Sequence, residues 1–141
     1  MKTWMTAIAL VVLLVAGAAA RQDAPPKALT ALEGTWVVAS MNGQSAADAG
    51  VSLTISFAGN TYASAMNGDV TETGTFTLDA TAKPMTLDLT IVTGDDAGKL
   101  QLGIVEIGDE GATFGFAIPG DPNRPDSTGG AALVVVAKKA K

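Results

Sequence analysis

The chain contains no cysteine and no histidine among its 141 residues. The first absence rules out disulfides, thiol nucleophiles, thiolate metal sites and lipid attachment through an N-terminal cysteine. The second removes the commonest general base and a leading transition-metal ligand. No cofactor and no metal is therefore expected, and the chain reads as a non-enzyme. Aromatic side chains make up only 5% of the residues, so the place of each one is informative. Beyond the first twenty residues no helical stretch of ten or more residues is legible, which argues against a helical bundle or an α/β layer fold.

What is present begins with a leader. Lys2, an apolar run over 7–16, and Gly17-Ala18-Ala19-Ala20 before Arg21 have the layout of a secretory signal peptide with an A-x-A site, spanning 1–20. The run is shorter than the ~20 residues of a membrane span. Cleavage is expected rather than retention as an anchor, which would make the protein secreted or periplasmic. Cleavage takes only Lys2 from the nine basic residues and leaves all fourteen acidic ones. That balance disfavours nucleic acid and anionic lipid as partners and argues against stable membrane insertion. The sequence names no protein partner. An exported chain without disulfides must be held by its core, and about 120 residues are enough for one domain.

Residues 21–31 read as a flexible tether opening on "RQDAPPKA", and "LTALE" (29–33) has room for one helical turn. The folded domain is placed at 32–141. There the pattern turns to period two. Val51, Leu53, Ile55 and Phe57 alternate with small polar residues; Met85, Leu87, Leu89 and Ile91 alternate with Thr86, Asp88 and Thr90. In "TETGTFTLD" the threonines share one face while Val70, Phe76 and Leu78 share the other. Such alternation marks strands buried on one side. Asn42-Gly43, Gly59-Asn60, Asn67-Gly68, Lys83-Pro84 and several glycine-rich loops divide the chain into eight strands, near 34–42, 51–58, 61–67, 70–79, 85–93, 99–107, 112–118 and 131–139. An all-β fold follows, and an eight-stranded antiparallel up-and-down barrel is favoured because closure removes both edges.

Gly34-Thr35-Trp36 at the entry of the first strand, behind a short helical turn, resembles lipocalin-type barrels, in which such a tryptophan plugs the closed end. The elements "LEGTWVVAS", "FAGNTY", "GTFTLD", "KPMTLDL", "GKLQLGIVEI" and "PGDPNRP" occur in the order found in a lipocalin-like domain family of planctomycete bacteria, over about 32–139. The chain departs from that pattern at Val105, where an aromatic is usual, near Ala117, where a cysteine is frequent, and after Arg124-Pro125, where "DSTGG" replaces a phenylalanine-bearing segment. The family has no established activity, so the resemblance implies architecture and little chemistry. In a closed meander the last strand lies antiparallel to the first, which brings Lys138 and Lys139 near Trp36. There a cation can cover the indole, where lipocalins usually use arginine. Gly34, Trp36, Arg124 and Lys138 are accordingly the expected structural residues.

Candidate chemistry is sparse. Asp88 lies on the threonine face and is expected to be solvated, while Glu72 and Glu106 interrupt apolar faces and are expected near strand ends or register breaks. "TGDDAGK" lacks the spacing and the following helix of a phosphate loop. Asp121, Asn123 and Asp126 fit no EF-hand spacing. Arg124 either ties its loop to backbone carbonyls or clamps a ligand. The interior remains, with an expected lining of Val51, Leu53, Ile55, Phe57, Tyr62, Met66, Phe76, Leu87, Leu89, Leu100, Leu102, Ile104, Phe114 and Phe116. Of these, Phe57, Tyr62, Phe76, Leu87, Leu89, Leu102, Phe114 and Phe116 are the candidate ligand contacts. Barrels of this size are either filled or hold one small molecule. A carrier of a small hydrophobic molecule and a packed interaction module of the cell envelope are the two readings the sequence leaves open.

Overall fold

The computed structural model describes residues 26–140. The expected leader and the first residues of the tether lie outside the described residues. Helix α1 (Pro26–Leu32) starts three residues before the expected turn. It leads into β1 (Gly34–Met41), the two-residue β2 (Gln44–Ser45) and a short α2 (Ala46–Ala49). The other strands are β3 (Leu53–Ala58), β4 (Thr61–Met66), β5 (Asp69–Asp79), β6 (Met85–Thr93), β7 (Leu100–Gln101), β8 (Gly103–Ile107), β9 (Ala112–Phe116) and β10 (Leu133–Lys139). β7 and β8 are one stave broken at Leu102, and both pair with β6. Each stave pairs antiparallel with its neighbour and β10 closes on β1, giving the expected eight-stranded barrel.

The turns follow from their residues. Asn42-Gly43 and Asn67-Gly68 have positive φ at both positions, 51° and 81° in the first and 52° and 88° in the second. Those angles define the two-residue hairpin turn that matches strand twist. Asn42 does more than turn: its Oδ1 accepts from Val134 N–H at 2.7 Å and its own N–H donates to Val134 O, so the hairpin grips the start of β10.

Antiparallel pairing also sets which lysine reaches the tryptophan. Trp36 lies opposite Lys139, and Val37 lies opposite Lys138. Opposed residues share a face. Lys139 therefore covers Trp36, with Nζ 5.2 Å from the ring centroid, and donates to Ala31 O at 2.7 Å. Lys138, expected in that role, is exposed on the outer wall beside Val37.

The sixth stave reverses the expected facing. Val105 opposes Phe114 and Gly103 opposes Phe116, while Gln101 opposes Leu89, so Gln101, Gly103 and Val105 point inward. Leu100, Leu102 and Ile104 point outward instead of lining the interior. Leu100 is exposed, and Ile104 is buried under the chain segment 119–131, whose Thr128 and Ala131 crowd Gly115 beside it. The loop supplies a second apolar contact outside the wall. Both faces of "KLQLGIVEI" are consequently apolar, and alternation loses its power to choose. Val70, expected on the inner face of β5, is also exposed, because a bulge opposite Ser64 and Ala65 shifts its register.

The barrel is packed most completely at one end. Where β1 begins, Leu32, Trp36, Phe57, Phe76, Leu78, Leu87, Val105, Phe114 and Ala137 form a buried core. Trp36 meets Phe114 edge-on at 6.1 Å, Phe57 meets Phe76 edge-on at 5.2 Å, and Phe114 stacks between Phe57 and Phe116 at 6.0 Å from each. All four phenylalanines of the chain join this one array with Trp36, the geometry aromatic quadrupoles prefer. The Trp36 indole N–H donates to Leu32 O at 2.7 Å, so the plug carries no unsatisfied donor.

Candidate functional site

At the opposite end the staves surround an open-mouthed hollow of about 360 Å³. Val38 and Val135 from the closing pair, Leu53 and Ile55 from β3, Leu89 from β6 and Phe116 from β9 form its apolar wall. Met41, Met66, Leu133 and Pro119 stand around its mouth. Met41 reaches it through a bulge between Val38 and Ser40, which places Met41 opposite inward-facing Val135.

One side of the wall is polar. Tyr62 on β4 donates its hydroxyl to Glu72 Oε2 at 2.8 Å, and Ser64 lies opposite Glu72 in the ladder. Two bulges on the edges of β5, at Ser64/Ala65 and Thr73/Gly74, bracket Glu72. The carboxylate thus sits at a register break, as expected, yet it lines the cavity. Burial, together with the hydrogen bond to Glu72 and its negative charge, pushes the Tyr62 phenol far above its ordinary value. The hydroxyl therefore stays protonated and remains a donor to Glu72. Gly74 makes the dyad possible: a Cβ there would stand 2.1 Å from Thr90 O and 2.8 Å from the Tyr62 ring. Gln101 faces the cavity beside Leu89 and donates to Ala117 O at 3.0 Å. Asp96, on the β6–β7 turn at the rim, pairs with Lys99 at 3.2 Å.

The candidate ligand contacts divide accordingly. Tyr62, Leu89 and Phe116 line the cavity, as do Leu53, Ile55 and Met66 of the wider expected lining. Phe57, Phe76, Leu87 and Phe114 are consumed by the packed end, and Leu102 lies outside the barrel. Val51 precedes β3. Val38, Val135, Leu133, Ser64 and Gln101 line the cavity too, outside the expected set. The β1 and β10 valines were legible as strand residues, but their facing depends on the closure register.

Arg124 and Asp88 meet on the outer wall. The Arg124 guanidinium donates through both terminal nitrogens to the two Asp88 carboxylate oxygens and also to Gly103 O at 2.9 Å. Asp88, expected to be solvated, is instead the ion-pair partner that pins the long loop across β6 and β8, and that pairing raises the guanidinium's affinity for its proton. Glu106 also faces outward and accepts from Thr128 at 3.3 Å. Asp121 accepts from the backbone and side-chain N–H groups of Asn123, which occupies the oxygen considered for calcium. Among the described residues there is no cluster of three His, Cys, Asp or Glu side chains placed to hold a metal, and no helix long and apolar enough to cross a membrane.

Comparison with protein-family models, with curated proteins and with solved structures yields no match to this chain.

Proposed function

We propose that this protein is an exported, lipocalin-like carrier that holds one small, mainly apolar molecule in the open half of its barrel. The observation that carries the reading is the asymmetry of the interior. One end is filled by aromatic packing, while the other keeps a cavity of about 360 Å³ with an apolar wall and a few convergent polar groups. That combination is the usual make-up of a small-molecule site, at the lower end of the size range. The resemblance of Gly34-Thr35-Trp36 and the later motifs to lipocalin-like domains, planctomycete ones in particular, agrees with it.

The outer wall supports a protein surrounded by water. Thr75, Thr77, Thr86, Asp88 and Thr90 project from β5 and β6, where a membrane-spanning barrel needs a continuous apolar band. The Lys2-to-Arg21 leader pattern supports export.

Native mass spectrometry of the protein purified from its own cell envelope tests the reading. A carrier shows a co-purifying organic species of a few hundred daltons, which the L89W variant lacks while keeping its β-sheet circular dichroism. Absence of any bound species, together with failure to bind simple alkyl chains, would leave a barrel that acts only through its surface.

A further inference from the structure

From the groups that face the cavity we infer that the ligand carries a cationic or strongly hydrogen-donating head, an amine above all, on an apolar body. The inference rests on the carrier reading and specifies the ligand's chemistry. Among the residues lining the cavity there is no lysine or arginine. Glu72 has no cationic partner among the described residues, and Asp96 is already paired with Lys99 at the rim. The charge left facing the cavity is therefore that of Glu72.

The hydrogen-bond inventory has the same sense. Tyr62 spends its only proton on Glu72 Oε2, which leaves the phenol oxygen as an acceptor. Glu72 Oε1 accepts nothing from the described residues. Gln101 spends an amide proton on Ala117 O, and Thr71 spends its hydroxyl proton on Ser64 O. The polar side of the cavity thus offers mostly acceptors, gathered around one half-buried carboxylate. An ammonium has three donors and no acceptor, so it matches Glu72 Oε1, the Tyr62 oxygen and the Ser64 hydroxyl. Its chain would then run along Ile55, Leu89, Phe116 and Val135. A fatty acid meets the opposite situation: its carboxylate would face Glu72 in a partly desolvated site, and like charges there cost affinity. The other hollows are more open to the surface, and the most polar of them is lined by Arg124 and Asp88, which already pair with each other.

Calorimetric titration of the full folded domain with nonylammonium chloride, 1-nonanol and sodium nonanoate, each below its aggregation concentration at pH 7, separates the possibilities. The expected order is ammonium tightest, by roughly tenfold over the alcohol, and carboxylate weakest. The E72Q variant, which keeps an acceptor for Tyr62, should bind the ammonium no better than the alcohol. Should E72Q fold poorly, salt supplies a second measure on the unaltered protein: raising it should weaken the ammonium and leave the alcohol unchanged. Nonanoate binding as tightly as nonylammonium would overturn the inference while leaving the carrier reading in place. If none of the three binds, the carrier reading itself fails.

Discussion

Trp36 joins three demands at one position: an indole N–H that needs an acceptor, a ring large enough to close a barrel end, and a face for a cation. Leu32 O, Phe114 and Lys139 meet them in turn. Replacing Trp36 by Ala should cost ~3–5 kcal/mol in chemical denaturation, the usual loss for a buried aromatic. The two neighbouring lysines should behave differently. K139A loses the cation over the ring and the bond to Ala31 O, and should cost about 1 kcal/mol. K138A, on the outer wall, should stay within about 0.5 kcal/mol of the parent. Gly34 fits the same arrangement, because its φ of 119° suits glycine and the Lys139 side chain passes 3.5 Å from where a Cβ would stand. Trp36 was legible from its neighbours in the sequence. Which lysine served it was not, because that depends on the pairing register across the closure.

The strands show how irregularity shapes the cavity. β5 carries a bulge at Thr71 on its β4 edge and β6 carries one at Val92 opposite Thr73 and Gly74, so the ladder breaks on both sides of Glu72, which keeps the inward facing of Gly74 and Phe76. Gly74 is the hinge of that arrangement, so G74A should cost roughly 2 kcal/mol or more by overpacking and should displace the Tyr62 ring, visible as altered aromatic NMR shifts. On the far wall the long loop depends on a bidentate ion pair. R124A should leave the barrel folded, cost about 1 kcal/mol, and raise amide exchange over 119–131 more than elsewhere. The two Asn-Gly turns and most strand limits were readable because those residues act locally. The facing of Gln101, Gly103 and Val105 was not, since a covering loop gave their neighbours Leu102 and Ile104 a burial of their own. Bulges hid the facing of Val70 and Met41 in the same way: each shifts parity by one residue without altering composition.

At the scale of the whole molecule, stability and cavity occupy opposite halves. L89W, placed in the open half, should fill the space with little loss of fold, whereas comparable enlargement near Phe114 would have no room to enter. A loss of 1–3 kcal/mol on L89W, the cost of overpacking, would mean that the open half is as tightly packed as the closed one. The sequence conveyed the barrel and its count of staves, but a half-filled interior depends on where each aromatic lands along the axis, and that needs registers. The β1–β10 closure has one more consequence. Trp36 and Lys139 face each other across the seam, and α1 lies beside them through Ala31 and Leu32. The described chain therefore enters and leaves at the same pole, and the mouth opens at the other. The first and last described residues both lie by the sealed base. Fusion partners, affinity tags or surface immobilisation at either end should leave ligand access unimpeded. A circular permutant joining residue 140 to residue 26 by a short linker, reopened at the exposed Asn67-Gly68 turn, should fold into the same barrel.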